Sequence, residues 1–155
     1  MPSPNTDNPL VATPFVHRNL PSLLLQAREA VMAHRRSALR EHGLSDQQWR
    51  VLRVLAEQGA GVDTGQIARE AFISGPSLTG VLTRMERDGL IARSRDPADQ
   101  RRTVVQASAA GLELVKQLAA PIETHYAAME TLLGKEKLTE LYELLDAVIA
   151  MDRPQ

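Results

Sequence analysis

The chain has 155 residues, 43% apolar but only 3% aromatic and without cysteine, so it can bury a sizeable core that Leu, Val, Ala and Met must fill. That mix favours helices over a sandwich or barrel, excludes a disulfide framework and thiolate metal sites, and leaves no apolar run near the ~20 residues of a membrane span, so a cytoplasmic protein is expected. The net charge of −1 conceals an asymmetry: residues 84–102 hold 6 Arg against 4 acids and 103–155 hold 4 basic against 8 acidic residues, which excludes a charge-driven coating protein but allows local phosphate contacts.

Residues 1–18 carry Pro2, Pro4, Pro9 and Pro14 and lack the apolar core of a signal peptide, so an irregular arm is expected. A first helix starts at Asn19 or Leu20, with Asn19 as cap and Pro21 in the first turn, and runs to about His42 before Gly43. Its Leu20, Leu23, Leu24, Ala27, Val31 and Leu39 make a broad apolar stripe, more than a monomer of this size is expected to cover by itself. Ser45 and Gln48 form a capping-box pattern that opens a second helix, with Val51, Leu52 and Leu55 inward, until Gly59-Ala60-Gly61 breaks it. Those glycines lack the spacing of a phosphate-binding loop. Asp63 or Thr64 caps a short third helix through about Ala71, and Phe72-Ile73 make a turn.

Ser74 then caps a helix to Asp88, with Pro76 in its first turn and Gly89 as its stop. Leu78, Val81, Leu82 and Met85 share one face. Ser77, Thr79, Gly80, Thr83, Arg84 and Arg87 occupy the other, where small, hydroxylated and cationic residues suit a DNA groove. Taken alone this is equally an ordinary amphipathic surface helix; its context, a short helix and tight turn before it, has the layout of a helix-turn-helix. Leu90–Arg95 and Thr103–Ala107 read as two strands around the turn Asp96–Gln100, a wing. Arg101 or Arg102, leaving the tip, can enter a minor groove, while Asp99 suits an arginine better than a phosphate.

Ser108 caps a long fifth helix with Leu112, Leu114, Val115, Leu118 and Ile122 inward and Pro121 inside it. A sixth runs from about Lys135 to Met151, with Leu138, Leu141, Leu144, Leu145, Val148 and Ile149 in a stripe suited to the first helix of its own chain and of a second subunit. The fold class expected is mainly α with a small β wing. Residues 44–108 form the winged helix-turn-helix, and residues 19–43 and 109–155 the helices that make a homodimer.

Leu44-Ser45-x-x-Gln48-Trp49, Pro76-Ser77-Leu78-Thr79-Gly80-Val81-Leu82, Arg84-Met85-Glu86-Arg87-Asp88-Gly89-Leu90 and the wing Asp99-Gln100-Arg101-Arg102 together resemble the MarR (multiple-antibiotic-resistance regulator) family of winged-helix repressors over residues 20–150. The resemblance implies Arg101 in the minor groove and Ser74, Ser77, Thr79, Thr83 and Arg84 as major-groove candidates. The family wing commonly reads Asp-x-Arg-Asp-x-Arg; here Ala98 replaces the middle arginine, which puts one phosphate or wing-bracing contact in doubt. Gln26-Ala27-Arg28-Glu29-Ala30 and Gln47-Gln48-Trp49-Arg50 are similar to a narrower branch, the regulators of homoprotocatechuate catabolism and relatives that sense hydroxylated aromatic acids.

Asp46, Trp49 and Arg53 lie at i, i+3 and i+7 on the second helix, beside its core stripe. Arg53 can hold a carboxylate, Trp49 can lie against a ring, and Asp46 can accept from a ring hydroxyl. By spacing alone, a Trp beside a core stripe is more often core and such an Asp–Arg pair more often a solvated face. The resemblance favours the pocket and implies an opposite wall from Ile122 and Tyr126 and from His17, Arg18 and Asn19 of a partner subunit. His17, His34, His42 and His125 lack metal-ligand spacing, so no metal or cofactor is expected. The reading is a homodimeric repressor, not an enzyme, that binds an inverted-repeat operator in double-stranded DNA and is released by a small hydroxylated aromatic or pyridine carboxylate. A helical adaptor without ligand, or an enzyme using His17, Asp46, Arg53 and Tyr126, are the alternatives; no nucleophile–base spacing favours the enzyme.

Overall fold

The computed structural model describes residues 14–152; residues 1–13, most of the expected irregular arm, and 153–155 lie outside the described residues. The elements run α1 (Leu20–Glu41), α2 (Asp46–Gln58), β1 (Val62–Asp63), α3 (Thr64–Glu70), α4 (Gly75–Arg87), β2 (Ile91–Arg95), β3 (Thr103–Ala107), α5 (Ala109–Leu133) and α6 (Lys135–Ala150). The described residues divide into two compact units that meet between Ala33 and His34, and α1 crosses the boundary. In the first unit the Asn19 side chain accepts from the Ser22 N–H at 3.1 Å, closing the N-terminus of α1 as its sequence predicts. Leu20, Leu24 and Leu25 on that helix are exposed.

The second unit owes its boundaries to local chemistry. Ser45 and Gln48 exchange the two bonds of a capping box, at 3.1 and 3.0 Å, and Gly59 ends α2 in the left-handed region. Asp63 caps α3, Ser74 caps α4 and Ser108 caps α5. The sheet order is β1-β3-β2, all antiparallel, with Val62 opposite Val105 and Arg93 opposite Val105 on the other side. The two residues of β1 were not expected as a strand, since a pair of residues carries no periodicity. They pair with β3 directly before Asp63 turns into its cap.

Val51, Leu52, Leu55, Ile67, Leu78, Val81, Leu82, Met85 and Val105 fill one core, joined by Leu118 and Ile122 of α5 and Leu39 of α1. The entry of α5 is set by Gly111, where a Cβ would stand 2.3 Å from the Leu90 carbonyl oxygen. That close approach fixes which face turns inward: Gly111 and Leu118, two turns apart, share it, and Leu112, expected inward, is half-exposed about 100° away. On α6 Leu138 is buried, whereas Leu141, Leu144, Val148 and Ile149 are exposed.

Candidate nucleic-acid interface

Ser74, Ser77, Thr79, Thr83 and Arg84 are all exposed on α4, opposite the buried Leu78, Val81, Leu82 and Met85. The Ser74 hydroxyl donates to the Ser77 hydroxyl at 3.0 Å and accepts from the Ser77 N–H at 3.4 Å. Thr79 donates to the Gly75 carbonyl at 3.3 Å and Thr83 to the Thr79 carbonyl at 2.9 Å. With their protons turned along the helix to the Gly75 and Thr79 carbonyls, the two threonines keep oxygen lone pairs for accepting from outside donors, the chemistry that a base amino group in a major groove offers.

The wing is held to the helices by two ion pairs. Arg93 of β2 meets Glu86 of α4 at 3.1 Å, with a second contact from its backbone N–H at 3.3 Å. Arg102 reaches Asp63 at 3.0 Å, tying the base of β3 to the cap of α3. The Arg102 guanidinium, helped by the Gln66 N–H, holds the Asp63 carboxyl below its usual range, and Arg93 does the same for Glu86. Both pairs therefore stay charged at neutral pH. Between the strands, Asp96 accepts from the Ala98 N–H at 2.9 Å, and the Arg102 N–H donates to the Asp99 carbonyl at 3.0 Å. This backbone scaffold closes the tip without the arginine that Ala98 replaces. Arg101 meets Asp99 at 3.4 Å yet its side chain is 93% exposed. Of the two tip arginines, Arg102 is thus turned back to the fold and Arg101 is presented outward.

The residues singled out for effector binding are arranged differently. Trp49, only 2% exposed, and Ile122 belong to the common core, and the half-buried Tyr126 packs against it. The Tyr126 hydroxyl accepts from Arg35 at 2.5 Å. Asp46 pairs with Arg50 at 3.1 Å, and Arg53, near the surface, pairs with Glu57 at 2.5 Å. A cavity of about 30 Å³ between the end of α1 and α5 is lined by His34, Arg35, Ala38, Pro121, Ile122 and His125, and the His34 and His125 rings lie 4.7 Å apart. His17, Arg18 and Asn19 line an open recess of the first unit with Phe15 and Val16, and Asn19 spends its side-chain oxygen on the α1 cap.

Comparison with known proteins decides what these parts make. Residues 42–102 match the MarR family, and the chain is 41% identical over 136 residues to the homoprotocatechuate degradative operon repressor of Escherichia coli, covering 88% of this chain and 91% of the repressor. The chain belongs to the MarR family of transcriptional regulators. This MarR-family chain is also 40% identical to the regulator FarR of Neisseria gonorrhoeae, over 83% of this chain and 88% of FarR. Its fold is similar to that of NadR crystallised with 4-hydroxyphenylacetate, at a TM-score of 0.81 and 39% identity, covering 88% of this chain and 96% of NadR. Among the described residues no helix is long and apolar enough to cross a membrane.

Three contacts of this MarR-family chain escaped its sequence: Arg102–Asp63, Arg35–Tyr126, and the bonds of Arg50 Nη1 to the carbonyls of Ala71 and Phe72 at 2.7 and 3.0 Å. They join residues 39, 91, 21 and 22 positions apart, beyond any spacing rule. One hint was available for Arg50: a cation one turn after Asp46 is a standard i,i+4 partner.

Proposed function

We propose that the chain is a homodimeric, sequence-specific repressor of a catabolic or related operon, which leaves an inverted-repeat operator when a small hydroxylated aromatic or pyridine carboxylate binds. The observation that carries the reading is the pairing of an exposed, hydroxylated and cationic face on α4 with an outward Arg101 on a wing braced at Glu86 and Asp63. Residues 44–108 read the DNA, with Ser74, Ser77, Thr79, Thr83 and Arg84 in the major groove and Arg101 in the minor groove. Residues 19–43 and 109–155 make the dimer, and the exposed stripe of α6 supports this because water-facing Leu141, Leu144, Val148 and Ile149 call for a covering surface.

The effector reading is supported by the similarity to the homoprotocatechuate degradative operon repressor and to NadR, which was crystallised with 4-hydroxyphenylacetate. At its site a ligand carboxylate takes the place of Glu57 at Arg53, Asp46 accepts the ring hydroxyl, and Trp49, Ile122 and Tyr126 supply the apolar wall. His17, Arg18 and Asn19 of the partner subunit close it. The effector shifts DNA affinity only by the ratio of its own affinities for the two dimer states. Fluorescence anisotropy tests this with a duplex selected by the wild type from a random-sequence pool, titrated with and without 4-hydroxyphenylacetate. Arg101→Ala should lose most specific affinity, and Arg53→Ala should bind the duplex but ignore the acid. Wild-type affinity unaffected by Arg101→Ala sinks the DNA reading; equal responses of wild type and Arg53→Ala sink the pocket.

A further inference from the structure

Between α3 and α4 the chain makes an unusual turn. Phe72 has φ +51°, a left-handed conformation that is unfavourable for a bulky L residue. Its ring is 89% exposed, so burial does not offset that cost. What does meet the turn is Arg50 of α2, whose Nη1 donates to both the Ala71 and Phe72 carbonyls, at 2.7 and 3.0 Å. These carbonyls sit at and just beyond the end of α3, where helix carbonyls lack intrahelical partners. Two residues after Phe72, Ser74 caps the recognition helix. The Nε edge of the same guanidinium faces the Asp46 carboxylate at 3.1 Å.

We propose that Arg50 is the positioning residue that carries effector binding to the recognition helix: it is oriented by Asp46 on one edge and holds the turn entering α4 with the other. This rests on the reading that Asp46 accepts an effector hydroxyl. The carboxylate that receives the hydroxyl has less electron density for Arg50. The planar fork then re-aims, and the grip on Ala71 and Phe72 loosens. The strained turn relaxes, and Ser74 and the start of α4 move with it. A lysine keeps the charge and the pairing with Asp46, but its single ammonium cannot reproduce a planar group that bonds two carbonyls through Nη1 while its Nε edge stays beside Asp46.

The test uses the full chain, the selected duplex and 4-hydroxyphenylacetate, with amide hydrogen exchange as a second readout. In the wild type the acid should lower duplex affinity by about tenfold, within the usual range of coupling between sites, and speed exchange of residues 73–78. Arg50→Lys should bind the acid with Kd within about twofold of wild type, while the effect on duplex affinity shrinks below about twofold and the exchange response disappears. Asp46→Asn, which removes the charge but keeps the shape, should speed exchange of the same amides without any ligand. If Arg50→Lys keeps the full wild-type response, or Asp46→Asn leaves the turn unchanged, the inference fails while the effector reading stands. A wild type that neither binds the acid nor responds to it overturns both.

Discussion

In the lobe of residues 44–108, Val51, Leu52, Ile67, Met85 and Val105 are entirely removed from solvent, whereas α6 buries Leu138 and leaves Leu141, Leu144, Val148 and Ile149 between 39% and 59% exposed. Helix α6 is the richer in leucine, with 4 in 16 residues against 6 in the 65 residues 44–108, so its lower burial does not come from a shortage of apolar side chains. The lobe closes its apolar faces on one another: α2, α3 and α4 surround one centre, the sheet covers it, and α5 adds Leu118 and Ile122. Helix α6 contacts α5 and keeps an apolar stripe in reserve. The lobe thus holds its shape through contacts within its own chain, whereas α6 leaves much of its apolar stripe facing water.

Three changes sharpen this contrast, the largest first. Leu52→Ala should destabilise the chain by about 3 kcal/mol, seen as a lower urea midpoint, because a fully enclosed side chain leaves a cavity that rigid neighbours cannot fill. A loss under about 1 kcal/mol would mean that the lobe is loosely packed. Leu144→Asp together with Val148→Asp should leave that midpoint within about 0.5 kcal/mol when measured on monomer, since both positions face water, yet move sedimentation from dimer to monomer. An unchanged sedimentation coefficient would place the dimer surface elsewhere.

The smallest effect concerns the wing brace. Because the Asp63 carboxyl is held below its usual range in the folded chain, its charged form adds stability above the unfolded carboxylate range, and that contribution is lost as pH falls through the folded value. Asp63→Asn should therefore be less stable than wild type at pH 7, and the gap should close on acidification below about pH 4. A gap independent of pH would mean that the charge of Asp63, shared between Arg102 and the Gly65 and Gln66 N–H groups, does not carry the loss.

Much of the fold was legible because its signals are local. The Ser45–Gln48 box, the Ser74 and Ser108 caps and the stops at Gly43, Gly59 and Gly89 lie within a turn of the ends they define. The polar face of α4 was equally readable, since period 3.6 alone places Ser77, Thr79, Thr83 and Arg84 away from Leu78, Val81 and Met85. The face proposed to bind an effector was legible only as a stripe. Asp46, Trp49 and Arg53 share it as expected, but Trp49 reaches into the core while Asp46 and Arg53 turn to Arg50 and Glu57. Helix periodicity gives a side chain's direction and not its partner.

By itself, then, the sequence determined the order of helices and wing, their ends, and which face of α4 is polar, because each depends on backbone bonds and side-chain periodicity over a few residues. Tertiary structure alone decided that Arg102 is bound to Asp63 while Arg101 stays free to reach outward past Asp99, that Leu112 yields the inner face of α5 to Gly111, and that Arg50 grips the turn at Phe72. The physical reason is common to all three. Which of two adjacent arginines, or which side of a helix, finds a distant partner depends on where the intervening chain has been folded.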